Sequence, residues 1–361
     1  MILLWALWGC EARLEAPKAG PHVAALLTVD SWRLDHFTPE LTPNLWALGE
    51  QGEVYEQAWS PVGLTTPAHV TMLTGRMPWE HGVEGNNHHG YELDPSITVL
   101  PELYEGWATG AFVSAWPAGP AGGLDRGWEV FRGPESGERP GQEAVQEALA
   151  WLPDDRPSLL WVHVYEPHGP YEGEGATERE RYREEVARVD ADLAPLIEEL
   201  QARRALIVLT ADHGEVLDEE TCAYQHERSS SDAVLRVPLV RWYPDIESRT
   251  EDDWVGLADI PRLLHGETVP ARDVWLAESG MCEADCAPGC RPEGLAGRDR
   301  VVVGPEGRWI DRPGRGILAE GSPRPGWKRW LETMPPVASA TVSVDEEAAR
   351  AAEALGYTSS P

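Results

Sequence analysis

Residues 205–214 read Ala-Leu-Ile-Val-Leu-Thr-Ala-Asp-His-Gly: the apolar run Ala205–Leu209 is followed by Thr210-Ala211 and then by the ionisable pair Asp212-His213. Apolar residues that do not alternate with polar ones indicate a strand buried on both faces, as in a parallel sheet. Four more short runs have this character: Ala24–Val29, Trp107–Val113, Leu159–Tyr165 and Val237–Trp242. The chain therefore has the strands of a parallel sheet, and several of them end in polar side chains.

Helical segments separate these strands. Thr42-Pro43 has the N-cap and the first-turn proline that open a helix. Gln142–Leu152 is predicted to form a second helix, and Glu178–Arg204 a long third one with apolar residues at helical spacing. Alternating strands and helices predict an α/β fold, a doubly wound, mostly parallel sheet flanked by helices. Such sheets place their sites beyond the carboxyl ends of the strands, which would bring together Asp30, His168, Asp212 and His213.

The pattern weakens after about residue 265, which divides the chain into three predicted parts. Residues 1–20 would be a leader and tether, residues 21–265 a catalytic domain, and residues 266–361 a small, reduced C-terminal subdomain. The subdomain would contain a cysteine-rich loop, a hairpin formed by Val301–Val303 and Arg308–Ile310, and a final helix over Val344–Leu355.

The charge of the chain excludes one class of partner. There are 30 Lys and Arg side chains against 61 Asp and Glu, which gives a formal net charge of −31. Nucleic-acid binding needs a basic surface, so we expect no nucleic-acid partner. Lys18 and Lys328 are the only lysines. An anionic substrate would therefore have to be held by metal, histidine, arginine or backbone amides.

The N-terminal run Met1–Cys10 is apolar but too short to cross a bilayer, which takes ~20 residues. It fits the short end of a secretory signal, and Leu7-Trp-Gly-Cys10 resembles a bacterial lipoprotein signal. We expect export to the periplasm or cell surface, with a lipid on Cys10 as the only membrane attachment. The alternative is an ordinary buried N-terminal segment. The remaining cysteines favour disulfides over a metal site, with their pairing left open: Cys222, Cys282, Cys286 and Cys290.

The segment richest in reactive side chains is residues 65–82, TTPAHVTMLTGRMPWEHG. Pro67 suits the first turn of a helix and Gly75 its end, which places Thr65 at the helix N-terminus. Free amides and the helix dipole at that end favour an anion. A hydroxyl there becomes a nucleophile if a metal lowers its pKa, as zinc lowers that of water from ~15.7 to about 7. Taken alone, Thr65 would be a plain N-cap.

Asp212-His213, which follows the apolar run Ala205–Leu209, supplies candidate metal ligands. A carboxylate oxygen together with an imidazole nitrogen suits zinc or manganese better than calcium, which takes oxygen ligands. Taken alone, such a pair after a strand is a turn, and Asp30 could cap the next helix. The metal prediction therefore depends on the convergence of these residues at one edge of the sheet.

Five segments, in order, resemble the alkaline phosphatase superfamily, and most closely its sulfatase-like hydrolase and transferase branch. The nucleophile segment combines Thr65-Thr-Pro-Ala-His69, Leu73-Thr-Gly-Arg76 and His81-Gly-Val, followed by Asn86. The other four are Leu27–His36, Tyr165–Tyr171, Leu209–Glu215 and Leu235–Leu239. The resemblance covers most of residues 22–265, and the tail Ala354-Leu-Gly-Tyr357 also recurs in such proteins.

The resemblance implies a nucleophile and a metal site. Thr65 would attack phosphorus or sulfur and form a covalent intermediate. Its backbone amide and the Asn86 side chain would stabilise the developing oxyanion. One metal would be bound by Asp30, Thr65, Asp212 and His213.

Three histidines receive roles from the same resemblance. His168 and His226 would contact the substrate, donate a proton to the leaving group, or help to hold a second metal. His69 would bind substrate together with Asn86, at the position where formylglycine sulfatases carry arginine.

Departures from the formylglycine sulfatases point to different chemistry. Thr65 cannot become formylglycine, Ser31 replaces the second metal-binding aspartate, and His213 replaces the asparagine that suits calcium. The active-site lysines have no counterpart. These changes resemble the threonine nucleophile and transition metal of nucleotide pyrophosphatase/phosphodiesterases and phospholipid headgroup transferases. We expect zinc or manganese rather than calcium in one firm site, with a second site left open and Glu166 as its acidic candidate.

These observations together predict an exported, metal-dependent hydrolase or phosphotransferase that cleaves a phosphate ester through a Thr65 intermediate. The ester would be a diester or a phosphorylated headgroup, carried by a lipid, a glycan or a small molecule. One alternative is a sulfuric ester hydrolase, a sulfatase, that uses Thr65 and a transition metal. Another is a catalytically silent lipoprotein that keeps the fold as a binding module.

Overall fold

The computed structural model describes residues 22–86, 91–217, 226–279 and 298–334. The N-terminal run with Cys10, the other four cysteines and the expected final helix over Val344–Leu355 lie outside the described residues. Among the helices that are described, none has the length and apolar character needed to span a membrane.

A large sheet forms the centre of the molecule and confirms the predicted α/β architecture. Its eight strands are β1 (Val23–Val29), β2 (Glu53–Trp59), β3 (Ala108–Val113), β4 (Val130–Arg132), β5 (Ser158–Val164), β6 (Leu206–Ala211), β7 (Leu239–Trp242) and β8 (Arg249–Gly256). They lie in the order β4-β3-β5-β1-β6-β7-β2-β8. All neighbours are parallel except at β7, which is antiparallel to both β6 and β2.

The helices are α1 (Pro43–Glu50), α2 (Thr65–Thr74), α3 (Pro78–His81), α4 (Gly141–Trp151), α5 (Glu178–Ala202), α6 (Asp232–Leu235), α7 (Ile260–Leu264) and α8 (Lys328–Thr333). Four of them, α1, α2, α4 and α5, lie where the sequence predicted helices, and α8 packs on a second sheet in the C-terminal region. The predicted first-turn proline is confirmed, since α1 begins at Pro43, but the Thr42 hydroxyl donates to Thr38 O and does not cap the helix. α5 begins after Thr177, whose hydroxyl accepts from Glu180 N. The core lies between these helices and the sheet, with every residue of β1, β5 and β6 buried.

The register of the sheet brings the polar strand ends to one edge. β1 lies between β5 and β6, and its last residue, Val29, is level with Val164 and Ala211. Asp30 and Asp212, the residues that follow, therefore emerge side by side. β2 runs in the same direction as β1 because β7 reverses between β6 and β2. Its carboxyl end lies at the same edge and leads into α2.

A second, antiparallel sheet follows in the C-terminal region. Its strands are β9 (Trp275–Glu278), β10 (Arg300–Gly304), β11 (Gly307–Arg312) and β12 (Gly316–Gly321). The predicted hairpin is confirmed, because β10 pairs with β11. The sheet is larger than the sequence suggested, since β9 and β12 extend it on both sides in the order β12-β11-β10-β9. It joins the first sheet through Trp275, which packs in one apolar cluster with Trp59 and Trp254.

Candidate active site

Thr65 is the first residue of α2, a helix in which all ten residues are buried. Gly75 ends the helix in the left-handed conformation, at φ 68°, as its position predicted. The Thr65 hydroxyl donates to Asp30 Oδ2 at 3.3 Å. The proposed nucleophile is therefore held at a helix N-terminus against the carboxylate that follows β1.

Asp30, Asp212 and His213 form a compact group at the same point. Each offers one ligand atom, and these atoms lie within 4.8 Å of one another. His213 Nε2 is 3.4 Å from Asp212 Oδ2 and 3.8 Å from Asp30 Oδ1. All three side chains are fully buried. The geometry brings together three of the four predicted metal ligands, with Thr65 bonded to one of them.

The hydrogen bonds around His213 show why this group fits a cation. A carbonyl oxygen only accepts, so His213 Nδ1, 2.9 Å from Gly214 O, carries the ring proton. In the neutral ring His213 Nε2 is then a lone pair that faces the two carboxylates. Within the described part of the chain, neither His213 Nε2 nor Asp212 Oδ2 has a hydrogen-bond partner. Buried acceptors that face one another without a donor require a positive ion between them.

The electrostatics of the group lead to the same requirement. Burial opposes ionisation of Asp30, but the histidines around it, His163 first and then His168 and His213, hold its pKa well below the usual range. Burial, together with the charge of Asp30, raises the pKa of Asp212 well above its usual range. Burial lowers the pKa of His213 to about 4, so that its ring is neutral at neutral pH. Two buried carboxylates both stay ionised only with a cation between them.

Asn86 lies against the first turn of α2. Its Oδ1 accepts from Thr66 N at 3.0 Å. The backbone N–H of Thr66 can only donate, so the atom that it contacts must be the Asn86 carbonyl oxygen. This assigns the orientation of the side-chain amide and directs its NH₂ group away from Thr66. Asn86 Nδ2 is buried and lacks a hydrogen-bond partner among the described residues. A donor of this kind beside a helix N-terminus is suited to an anionic oxygen.

His168 and His226 meet next to the metal-ligand group. Their Nε2 atoms are 3.1 Å apart. His226 Nδ1 donates to Gly63 O at 2.8 Å, so in a neutral ring its Nε2 is a lone pair directed at His168 Nε2. His168 Nδ1 lies 2.6 Å from Gly169 O and 2.8 Å from the Tyr165 hydroxyl, so either tautomer of this ring has a partner for Nδ1. Burial lowers the pKa of His168 to about 4 and that of His226 to about 3, so both rings are neutral near pH 7. Either the proton of His168 Nε2 or a metal ion would join the two Nε2 atoms.

Glu166 does not complete a second metal site in this structure. Both of its carboxylate oxygens accept from Gly141 N at 3.2 Å, where they cap the N-terminus of α4. Amides at a helix N-terminus attract carboxylates, so Glu166, the acidic candidate for the second metal site, is bonded to the Gly141 amide here.

His69 also differs from its expected role. Its Nδ1 donates to Thr65 O at 2.8 Å, and its Nε2 is 3.1 Å from Thr28 Oγ1. The ring is fully buried. Both ring nitrogens are hydrogen-bonded within the protein, so His69 contacts the first turn of α2 and does not face a substrate.

His163 is a site residue that the sequence reasoning missed. It lies inside β5, fully buried, with Nε2 at 3.5 Å from Asp30 Oδ2 and Nδ1 at 3.1 Å from Thr28 Oγ1. The register pairs it with Thr28 on β1. The signal that could have found it is an ionisable residue within an otherwise apolar, doubly buried strand that leads to the site.

The hydrogen bonds of Thr28 determine which nitrogen of His163 carries a proton. The Trp161 indole can only donate, and it does so to Thr28 Oγ1 at 3.0 Å. Because His69 Nδ1 holds its proton against Thr65 O, the Thr28 proton goes to His69 Nε2. His163 Nδ1 must then donate to Thr28, and in a neutral ring Nε2 is one more lone pair facing Asp30. No described residue donates to His163 Nε2.

The sheet is mostly parallel, and its strand ends bring buried carboxylates and histidines to a hydroxyl at a helix N-terminus. This combination defines a protein of the alkaline phosphatase superfamily. Within it, the chain belongs to the sulfatase family, whose sequence model matches residues 26–262. Proteins of this family generally depend on a metal, in agreement with the buried group of Asp30, Asp212 and His213.

The proteins that are similar to this chain in sequence or in fold include enzymes that act on phosphorus esters and enzymes that act on sulfur esters. Human ectonucleotide pyrophosphatase/phosphodiesterase family member 7 is 25% identical over 238 residues, which cover 56% of this chain and 52% of the relative. The chain thus matches about half the length of that relative. The phosphonate monoester hydrolase of Agrobacterium radiobacter has a similar fold, with a TM-score of 0.66 and 18% identity over 93% of this chain and 94% of that one. A 2-O GAG sulfatase also has a similar fold, with a TM-score of 0.67 and 14% identity over 87% of this chain and 90% of that one.

Proposed function

We propose that this protein is a metal-dependent hydrolase or transferase that cleaves phosphate esters through a covalent intermediate on Thr65. The observation that carries the proposal is the set of buried acceptors around the Thr65 hydroxyl. Asp30, Asp212 and His213 present lone pairs to one another, and Thr65 donates to the first of them. A site of this kind binds a cation and, through it, an anion.

Asp30, Asp212, His213 and the Thr65 hydroxyl would hold the metal. Zinc or manganese fits this mixed set of nitrogen and oxygen donors better than calcium. When bound, such an ion lowers the pKa of the Thr65 hydroxyl and neutralises charge on the ester. With a net charge of −31, the chain needs this local neutralisation to admit an anion.

The reaction follows from the positions of the chain's own side chains. Thr65 Oγ1 forms a bond to phosphorus as the bond from phosphorus to the leaving oxygen breaks. Asn86 Nδ2 donates to a non-bridging oxygen, whose charge grows as the reaction proceeds. A neutral ring of the His168 and His226 pair takes up the proton that Thr65 loses and passes it to the leaving oxygen; alternatively, the pair would hold a second ion. Water then cleaves the bond between Thr65 and phosphorus, or an acceptor alcohol takes the group.

A phosphodiester or a phosphorylated headgroup is the favoured substrate class. Thr65 retains a simple hydroxyl, whereas sulfate ester hydrolysis in the formylglycine sulfatases uses an oxidised Cys or Ser. The second candidate function is a sulfatase that uses Thr65, and the match of residues 26–262 to the sulfatase family supports it.

The test is a metal and substrate matrix. Purified protein is stripped with a chelator, reloaded separately with zinc, manganese or calcium, and assayed on nitrophenyl esters: a phosphate monoester, a phosphate diester, a phosphonate and a sulfate. We expect diester turnover with zinc or manganese, a loss of about a thousandfold or more in Thr65→Ala, and partial retention in Thr65→Ser.

Two outcomes would contradict this proposal. Calcium-dependent sulfate ester cleavage that survives in Thr65→Ala would overturn the mechanism. Absence of both metal binding and turnover would favour the silent binding module.

We also infer export with lipid attachment at Cys10, from the apolar run Met1–Cys10. Membrane fractionation of the full chain beside Cys10→Ala tests this. The parent chain should sediment with membranes and the variant should not; equal partition of the two would exclude the lipid anchor.

A further inference from the structure

Three buried charged side chains connect the antiparallel sheet to the loop that carries Asn86. Arg298 Nη1 donates to Glu278 Oε1 at 2.6 Å, and Arg298 Nη2 donates to Glu84 Oε2 at 3.0 Å. The side chains of Arg298, Glu84 and Glu278 are 5%, 1% and 0% exposed. We name this group the Glu84–Arg298–Glu278 bridge. Glu278 and Arg298 lie beyond residues 26–262, the part of the chain that matches the family.

Both ends of the bridge lie on segments that lead to the site. Glu84 is two residues before Asn86 in the chain. Glu278 N donates to Pro61 O at 2.8 Å, and Glu278 forms a parallel backbone bridge with Val62, three residues before Thr65. One guanidinium therefore joins the segment that enters α2 to the segment that presents Asn86.

The rigidity of the bridge has a chemical reason. A guanidinium has a planar fork of donors, and here two arms of the fork engage carboxylates on different segments. Breaking a buried pair by removing one partner is strongly unfavourable, because it leaves a charge without compensation. The bridge is thus a second link between the Thr65 and Asn86 segments, beside the direct bond from Thr66 N to Asn86 Oδ1.

We propose that Arg298 is a positioning residue for the reaction: it acts through Glu84 to hold Asn86 Nδ2 in register with the Thr65 hydroxyl. The inference rests on the proposed function, in which Asn86 donates to the developing oxyanion. A displacement of about 1 Å at such a group costs roughly a hundredfold in rate. The antiparallel sheet is then part of the catalytic apparatus and not only a covering of the first sheet.

A double-mutant cycle tests this, with the zinc-loaded protein and a bis(nitrophenyl) phosphate probe. Arg298→Gln is expected to lower kcat about 10- to 100-fold with KM within about threefold, and Arg298→Lys to recover part of the loss. In the Asn86→Ala background, Arg298→Gln should lower kcat by less than about threefold, because the group that it positions is already gone.

Arg312→Gln is the matched control. It breaks another ion pair of the same region, Arg312 to Asp299 at 2.8 Å, in which neither partner belongs to the bridge. Its kcat should stay at the parent value. If Arg298→Gln does not fold, Glu84→Gln takes its place in the cycle, since it leaves Arg298 paired with Glu278.

Failure of this inference differs from failure of the proposed function. If Asn86→Ala lowers kcat but Arg298→Gln or Glu84→Gln lowers it by the same factor in both backgrounds, Arg298 has only a structural role and the inference is overturned. If Thr65→Ala and Asn86→Ala both leave turnover unchanged, the proposed function itself is wrong.

Discussion

The active-site edge of the parallel sheet and the Glu84–Arg298–Glu278 bridge both bury charged groups, but they arrange them in opposite ways. At the sheet edge, Asp212 and His213 present acceptors to acceptors. In the bridge, a cation lies between two anions. The first arrangement is unfavourable until an ion from outside enters it, whereas the second already holds one cation for its two carboxylates. This difference separates a group that lacks a cation from a contact that contains one.

Substitutions of one carboxylate in each region should have opposite effects on stability. Asp212→Asn removes a buried carboxyl group whose ionisation is opposed by burial and by the charge of Asp30, and it keeps Oδ1 as acceptor for Ser31 N and His213 N. We expect the metal-free protein to be as stable as the parent or more so, with turnover reduced about a thousandfold or more because a metal ligand is gone. Glu84→Gln should destabilise, since it replaces a charge-assisted hydrogen bond from Arg298 by a bond to a neutral oxygen.

Thermal unfolding with and without zinc measures both effects. Zinc should raise the Tm of the parent and of Glu84→Gln, but not that of Asp212→Asn. If metal-free Asp212→Asn loses as much stability as Glu84→Gln, the two regions do not differ in the way proposed.

His163 sharpens the comparison because its lone pair adds to the acceptors around Asp30. We expect His163→Gln to weaken zinc binding about 10- to 100-fold, as is typical when a residue that orients a metal ligand is changed. The cobalt-substituted protein should show an altered visible spectrum. Thr28→Val should act in the same direction and Thr28→Ser should not, since only the former removes the hydroxyl that orients the ring. Unchanged zinc affinity in both His163→Gln and Thr28→Val would contradict this role.

The part of the site that the sequence predicted is the part encoded by strand ends. Asp30 and Asp212 each follow an apolar run, and parallel strands in register must place them side by side. Thr65 was found from the helix signals of Pro67 and Gly75.

What the sequence could not supply depends on side-chain direction and on competing partners. His163 lies inside a strand buried on both faces, so no alternation distinguishes the face that points at Asp30. Glu166 has two suitable partners, and the free amide of α4 binds it instead of a metal. β9 and β12 were missed because β9 is only four residues long and β12 is mostly exposed, so neither has a clear pattern.

Acid should affect the active-site edge through its buried neutral imidazoles. Burial lowers the pKa of His168 to about 4, of His213 to about 4 and of His226 to about 3, from an ordinary value of 6.5. The unfolded chain therefore takes up protons first as pH falls. The stability of the metal-free protein should decline from about pH 6.5 to about pH 4, by roughly 1–3 kcal/mol for each ring.

Urea unfolding of chelator-treated protein across this range measures the decline. His226→Gln should flatten the dependence by about one proton, whereas Arg312→Gln, in the antiparallel sheet, should leave its slope unchanged. Identical slopes for the parent and His226→Gln would show that the buried ring does not control this pH dependence.

The smallest effect on stability and turnover is expected at Glu166, which could act either as a metal ligand or as a structural contact. As a ligand of a second metal, its loss would change the metal stoichiometry and lower kcat by orders of magnitude. As the cap of α4, bonded to Gly141 N, its replacement by Gln keeps an acceptor oxygen and loses only the interaction of the charge with the helix dipole. Glu166→Gln should therefore lower stability by about 0.5–1 kcal/mol, with zinc stoichiometry unchanged and kcat within about twofold. A drop in bound zinc would place this carboxylate in the metal site after all. It would also mean that Glu166 joins His168 and His226 as a ligand once an ion is bound, which would complete the second metal site.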